Sequence, residues 1–148
     1  MPVWYHETYT EGISRSARFP RDRYRMLRER LNDLHGTGLI CIESPEPVVR
    51  DTLLIAHEQD YVDRFLSGSL DTKEVRRIGL EPWTDAFLPR TMMIIGGAVE
   101  ALAHVTRFGG IAANMAGGTH HSHRSFGSGY CVFNDLAICA LLARDEYG

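Results

Sequence analysis

The passage that most constrains the fold begins with the short apolar run Ile111–Met115. It continues through the twenty residues Ala116-Gly-Gly-Thr-His-His-Ser-His-Arg-Ser-Phe-Gly-Ser-Gly-Tyr-Cys-Val-Phe-Asn-Asp135 into a second apolar run that ends near Arg144. An apolar strand that feeds a glycine-rich loop and then a helix is a building unit of α/β folds. In an open parallel sheet, the loop at the carboxyl end of such a strand is where ligands bind. Gly117 and Gly118 let the backbone turn sharply and approach a ligand closely. The stretch concentrates three histidines, four glycines and a cysteine, so function is sought there first.

The rest of the chain repeats the alternation. Pro2–Tyr5 reads as a short buried strand, because Val, Trp and Tyr suit a pleated surface. His6–Phe19 has neither period and reads as a loop. Pro20 opens a helix in which Tyr24, Leu27, Leu31 and Leu34 share one face toward a core, and Gly36 and Gly38 end it. Leu39–Ile42 is a second strand, stopped by Ser44-Pro45-Glu46-Pro47. Asp51 is placed to cap a short helix through Ala56, and Asp60–Leu66 makes another. Asp71 and Glu74 have capping-box spacing ahead of a helix to Arg77. Ile78–Pro89 reads as irregular. A long helix then runs from Thr91 to Phe108. Gly96 and Gly97 inside it cost roughly 1 kcal/mol each relative to Ala, which implies that another backbone passes close by. Ile111–Met115 is the third strand and Asn134–Arg144 the last helix. The expected fold class is therefore α/β, a parallel sheet of about three strands with flanking helices.

Composition narrows the functional classes. With 148 residues, a formal charge of -3, 44% hydrophobic and 24% charged residues, the chain fits one ordinary globular domain. It carries no basic footprint for nucleic acid and no basic run for a membrane surface. Arg21, Arg23, Arg25, Arg28 and Arg30 are interspersed with Asp22, Glu29 and Asp33 and read as an exposed helix face. Cys41, Cys131 and Cys139 lack Cys-x-x-Cys spacing. With no signal peptide and no transmembrane-length apolar run, the expected location is a reducing cytoplasm.

The loop chemistry leaves alternatives open. Adjacent His120 and His121 suit acid/base work near neutral pH, one ring exchanging the proton and the other shaping the charge around it. Three histidines in a surface loop can equally be solvated or bind metal adventitiously, and they match no recognised zinc spacing. Cys131 is conceivable as a nucleophile beside a histidine, against the plainer reading of a small thiol packed under the loop. His6, His35, His57 and His104 are dispersed and read as structural or exposed.

Gly117-Gly-Thr-His-His-Ser-His-Arg-Ser-Phe-Gly-Ser-Gly-Tyr-Cys-Val-Phe-Asn-Asp135 resembles the signature of the zinc-dependent histone deacetylase superfamily, whose bacterial members include acetoin-utilisation proteins. Arg18-Phe-Pro-Arg-Asp-Arg-Tyr24, His57-Glu-Gln-Asp-Tyr-Val62 and Arg76-Arg-Ile-Gly-Leu80 are similar to its bacterial branch close to class IV. The resemblance implies an arginase-like α/β fold, incomplete here, and hydrolysis of an acyl-lysine or related acylated small amine by a zinc-bound water. It makes His121 the general acid/base and His120 its electrostatic partner. Gly129 and Tyr130 become the wall of the acyl channel, although most members have Phe where Tyr130 stands. The loop between His6 and Pro20 becomes a rim of the entrance.

The family's metal ligands, an Asp-x-His pair on a following strand and a later Asp, have no counterpart in this sequence. The expectation is thus that residues 1–148 are the N-terminal portion of a single deacetylase domain, with no catalytic zinc of their own and no activity alone. The alternative is a non-catalytic binding or assembly module derived from a truncated deacetylase. Missing strands would leave a sheet edge open to self-association.

Overall fold

The computed structural model describes residues 1–147. Three parallel strands, β1 (Pro2–Trp4), β2 (Cys41–Glu43) and β3 (Ala113–Asn114), lie in the order β2-β1-β3. Val3 is the hinge of the register, opposite Ile42 on one side and Ala113 on the other. The strands are shorter than the apolar runs that announce them. Pairing nevertheless continues past their ends, through Tyr5 N–H to Glu43 C=O at 2.9 Å and Met115 N–H to Trp4 C=O at 2.9 Å.

Between β1 and β2 runs α1 (Arg23–Gly36). Between β2 and β3 run α2 (Arg50–Leu54), α3 (Gln59–Leu66), α4 (Thr72–Ile78) and α5 (Phe87–Phe108), and α6 (Asp135–Tyr147) follows β3. The chain leaves β1 toward β2 on one side and later returns to β3 on the other. The carboxyl ends of β1 and β3 therefore border the crevice where the strand order reverses, the favoured ligand position of an open α/β sheet. The loops that follow these two strands are the entrance loop after His6 and the histidine loop.

Each element has a local cause. In α4 the Asp71 carboxylate accepts from Lys73 N–H and Glu74 N–H, and Glu74 reaches back to Asp71 N–H, which completes the capping box read from the sequence. Gly79 closes the helix at φ 79°. In α2 the N-cap is Val49 and Asp51 sits in the first turn, so Asp51 favours the helix dipole but does not cap it. Helix α3 begins at Gln59, one residue before the expected Asp60, with Glu58 at its N-cap. The long helix α5 begins at Phe87, earlier than its apolar period indicates. Pro89 is its third residue, where no intrahelical donor is required. Within the expected loop after β1, Glu7–Thr10 forms a 3₁₀ turn capped by the His6 ring, which accepts from Thr8 N–H through Nδ1 at 3.2 Å.

The core has two parts joined by α5. Ile94 packs with Val3, Tyr5, Tyr9 and Met115 against the sheet, while the next residue, Ile95, joins Leu53, Tyr61, Phe87, Phe133 and Ile138 among the helices. Gly96 and Gly97 make this possible. A Cβ on Gly96 would overlap the Glu46 carbonyl oxygen, and one on Gly97 would stand 2.6 Å from both Tyr9 Oη and Asn114 Oδ1. The close backbone expected at both glycines is found at Gly96, where it is the Pro45–Val48 segment; at Gly97 the close neighbours are the Tyr9 and Asn114 side chains.

Helix α1 departs from expectation twice: it starts at Arg23 after the Asp22 N-cap, so Pro20 lies before it rather than in its first turn, and its apolar face is only partly buried. Tyr24 of α1 is buried and Leu31 partly so, but Leu27 and Leu34 are 43% and 39% exposed. Helix α1 leans on the 3₁₀ turn through its first turns, and among the described residues nothing covers the remainder of its apolar face.

Candidate active site

Three anchors give the histidine loop its shape. Asp135, 2% exposed, turns its carboxylate back across the loop and accepts from Gly118 N–H at 2.8 Å, Thr119 N–H at 2.7 Å and Thr119 Oγ1 at 2.7 Å. Three donors meeting one buried carboxylate hold the loop tightly. Gly117 is required beside it, because a Cβ there would collide with Asp135 Oδ2, and its φ is 114°. Asn134 caps α6 by accepting from Ala137 N–H and donates its side-chain amide to Ser122 C=O at 3.1 Å. His57 meets the loop from beneath, with Nδ1 3.0 Å from His123 C=O and Nε2 accepting from Asn134 N–H at 2.9 Å.

The Gly127–Phe133 segment is held as firmly. Tyr61 Oη donates to Val132 C=O at 2.7 Å, and Ser122 Oγ donates to the same carbonyl at 2.7 Å. Burial pushes the Tyr61 phenol upward, so it remains a donor at any working pH. Gly129 N–H donates to Arg77 C=O and Tyr130 N–H to Ile78 C=O, which ties the loop to the end of α4. Tyr130 adopts φ 68°, the left-handed region that costs a non-glycine residue of order 1–2 kcal/mol. That backbone aims the exposed ring outward, edge-on to Phe19 with centroids 5.5 Å apart.

His120 and His121 are both exposed, with ring centroids 4.2 Å apart and planes inclined by 38°. His120 Nδ1 lies 2.9 Å from Gly118 C=O, a contact that requires a proton on Nδ1. His120 therefore faces its own loop. His121 instead lines a cavity of about 200 Å³ together with Gly129, Tyr130, Cys131 and Phe19. Its ring lies against Gly129, where a Cβ would stand 3.1 Å from His121 Cγ. The structure thus brings His121, Gly129 and Tyr130 to one cavity and sets His120 behind His121.

The two arginines of the cavity were not legible in the sequence. Arg90, 4% exposed, donates from Nε to Tyr9 C=O at 2.9 Å, and burial holds its guanidinium down at about 10. Arg23 reaches the same cavity, bonded to Tyr24 Oη at 2.8 Å and lying 4.6 Å over the Phe19 ring. The lining includes no carboxylate, and the buried Thr91 hydroxyl has no partner among the described residues. The lining combines apolar and aromatic side chains with two arginines, the buried Arg90 and the exposed Arg23, and suits a short chain with a polar or anionic end.

Cys131 also lines the cavity, but its thiol is buried, bonded to Gly129 C=O at 3.4 Å and pushed up by desolvation. A thiol held protonated is a poor nucleophile. Among the described residues, no three His, Cys, Asp or Glu side chains come together as a group able to hold a metal ion. The donors present do not fit a catalytic zinc, which takes about three protein ligands. No helix of the described residues is long and apolar enough to cross a membrane.

Comparison with known proteins follows the same line. Residues 17–148 match the histone deacetylase domain. An uncharacterised protein of Picosynechococcus is 40% identical over 140 residues, which cover 93% of this chain and 45% of the relative. The acetoin utilization protein AcuC of Staphylococcus aureus (strain MW2) is 29% identical over 70% of this chain and 30% of its own length. That of Staphylococcus xylosus is 28% identical over 98% of this chain and 40% of its own length. The chain thus spans less than half the length of these relatives. With residues 17–148, most of this chain, matching the histone deacetylase domain and a parallel α/β sheet that leads into the histidine loop, the chain belongs to the histone deacetylase family.

Proposed function

We propose that this chain supplies the histidine half of a site that hydrolyses an acylated lysine or a related acylated small amine. The observation that carries the reading is the packing of His121 against Gly129 in the cavity lining. An acyl chain passing between Gly129 and Tyr130 would bring its carbonyl beside that ring. In the reaction a water oxygen bonds to the carbonyl carbon, the C–N bond breaks, and the amine leaves with a proton. His121 takes the proton from the water and returns it to the amine, a role suited to an imidazole near neutral pH. His120, fixed through Nδ1 on Gly118 C=O, shapes the charge beside it. Arg23 and Arg90 in the cavity lining would favour a carboxylate, the charge type of the released acid.

We place the zinc of such a site outside the donors of this chain. Residues 1–148 are then the N-terminal portion of a single deacetylase domain, able to hold an acyl group without turning it over. The share of the relatives that the chain covers supports this division. The test is turnover of a fluorogenic acetyl-lysine substrate by the purified chain with added zinc. The expected rate equals the blank, and zinc-dependent turnover abolished by His121→Ala would overturn the division.

A second reading, an assembly module derived from a truncated deacetylase, is favoured by the apolar residues Leu39, Phe108 and Ile111 exposed near the sheet and by the outer edges of β2 and β3. It predicts self-association, and light scattering from a compact monomer would contradict it. The three free cysteines support a reducing cytoplasm; recovery of the protein in a membrane fraction would count against that.

A further inference from the structure

We propose that His57 is the positioning residue of the histidine loop, a neutral imidazole that latches the loop at two points and releases it on taking up a proton. The loop's importance rests on the hydrolase reading above; the latch itself does not.

The geometry fixes the tautomer. His57 Nδ1 lies 3.0 Å from His123 C=O, which can only accept, so Nδ1 carries a proton. Nε2 lies 2.9 Å from Asn134 N–H, which can only donate, so Nε2 carries a lone pair. One ring therefore closes both ends of the His123–Asn134 segment, the part of the loop that contains Gly129 and Tyr130. Glu58 N–H, next in the chain, doubles the first end by donating to Arg124 C=O at 2.9 Å. The second end transmits further. Asn134, held by His57 through its backbone, holds Ser122 C=O through its side chain and caps α6. Ser122 directly follows His121, so the tie from His57 to the candidate proton-transfer residue passes through one asparagine.

The imidazolium cannot make this arrangement. A proton on Nε2 would face the Asn134 N–H, donor against donor, and one end of the latch would open. The backbone bonds to His123 and Arg124 favour the charged ring, but desolvation outweighs them. On its own side are Glu58, paired with Arg124 at 3.6 Å, Asp60, paired with Arg64 at 2.9 Å, and the Tyr61 ring with its centroid 6.1 Å away. From the loop come His123, which presents its carbonyl, Arg124, the Phe133 ring at 4.9 Å and Asp135, whose carboxylate is turned onto Gly118 and Thr119. None of these carboxylates bonds the imidazole. His57 is only 4% exposed, and desolvation lowers its pKa below the ordinary 6.5. The sign follows from linkage. The latch is fully present above the ordinary histidine value and is lost as pH falls through the lowered folded value.

The test is NMR on the whole chain between about pH 8 and pH 5, where histidine changes charge. The readouts are the His57 ring resonances, the Asn134, Ser122 and Gly129 backbone amides, and hydrogen exchange at Asn134. We expect the ring and the three amides to shift with one midpoint below 6.5, and Asn134 protection to fall by roughly tenfold or more across it. In His57→Gln, whose side-chain oxygen reaches the Nε2 position without titrating, the amides should lose that midpoint. If the ring titrates while Asn134 protection stays level, or if His57→Gln keeps the same midpoint, the proposal is overturned. The wild-type titration decides it even if the variant does not fold. None of these readouts requires turnover, so failure of the hydrolase reading would leave the result standing.

Discussion

Gly96→Ala is the substitution whose sign separates this structure from sequence statistics. In the middle of α5, replacing Gly by Ala should stabilise by about 1 kcal/mol through helix propensity. The structure opposes that gain with a collision, because the new Cβ would overlap the Glu46 carbonyl oxygen and come within 3.0 Å of its carbonyl carbon. These are backbone atoms, and they are not free to move. Glu46 N–H is tied to Glu100 Oε1 at 2.6 Å and Val48 N–H to Met92 C=O at 3.2 Å, both on α5 itself. Overpacking of this kind costs about 1–3 kcal/mol even where side chains can give way. The upper part of that range applies here, so the net change is a loss of about 1–2 kcal/mol. For a chain of this size the loss corresponds to a fall in Tm of roughly 2–8 °C. Urea unfolding followed by Trp4 and Trp83 fluorescence measures it. Gly36→Ala, with nothing within 4 Å of the new methyl group, is the control and should gain stability. Equal gains in both variants would refute the claim that the Glu46 segment crosses α5 at Gly96.

Three further outcomes are expected. Asp135→Ala removes the acceptor of three loop donors and should cost about 3–5 kcal/mol, with loss of exchange protection at Gly118 and Thr119; a cost below about 1 kcal/mol would contradict the anchoring role. Tyr61→Phe deletes the 2.7 Å bond to Val132 C=O and leaves that carbonyl to Ser122, so it should cost only about 1 kcal/mol in urea unfolding, whereas Tyr61→Phe combined with Ser122→Ala should cost more than the sum. In thiol labelling near neutral pH, exposed Cys41 should react first. Burial raises Cys131 and pushes Cys139 up to about 11, so both should label only as the protein opens; rapid labelling of Cys131 in the folded state would revive it as a nucleophile.

The sequence made some features legible because their causes are local. The Asp71–Glu74 box lies within four residues, and the strand, glycine loop and helix around β3 are contiguous. Gly96 and Gly97 announced close packing because they carry a propensity cost that only packing offsets, although they could not name the partners, the Pro45–Val48 backbone at Gly96 and the Tyr9 and Asn114 side chains at Gly97. What escaped was non-local. The two partners of His57 lie 66 and 77 residues away, so nothing beside it separated a latch from an ordinary buried histidine. Arg90 sits in an apolar helix and gains its meaning only from a cavity built by the loops after β1 and β3. The apolar spacing of Leu27 and Leu34 overstated burial, since periodicity reports which residues share a face and not whether anything covers it.

The central claim is that Gly129 and Tyr130 form an acyl-binding wall beside His121. It is tested most directly by titrating the chain with an acetyl-lysine peptide and with the same peptide unmodified, followed by amide chemical shifts. The account predicts saturable shifts at Gly129, Tyr130 and His121 for the acetylated peptide and loss of those shifts for the unmodified one. Equal responses to both peptides, or shifts confined to residues away from the cavity, would contradict it.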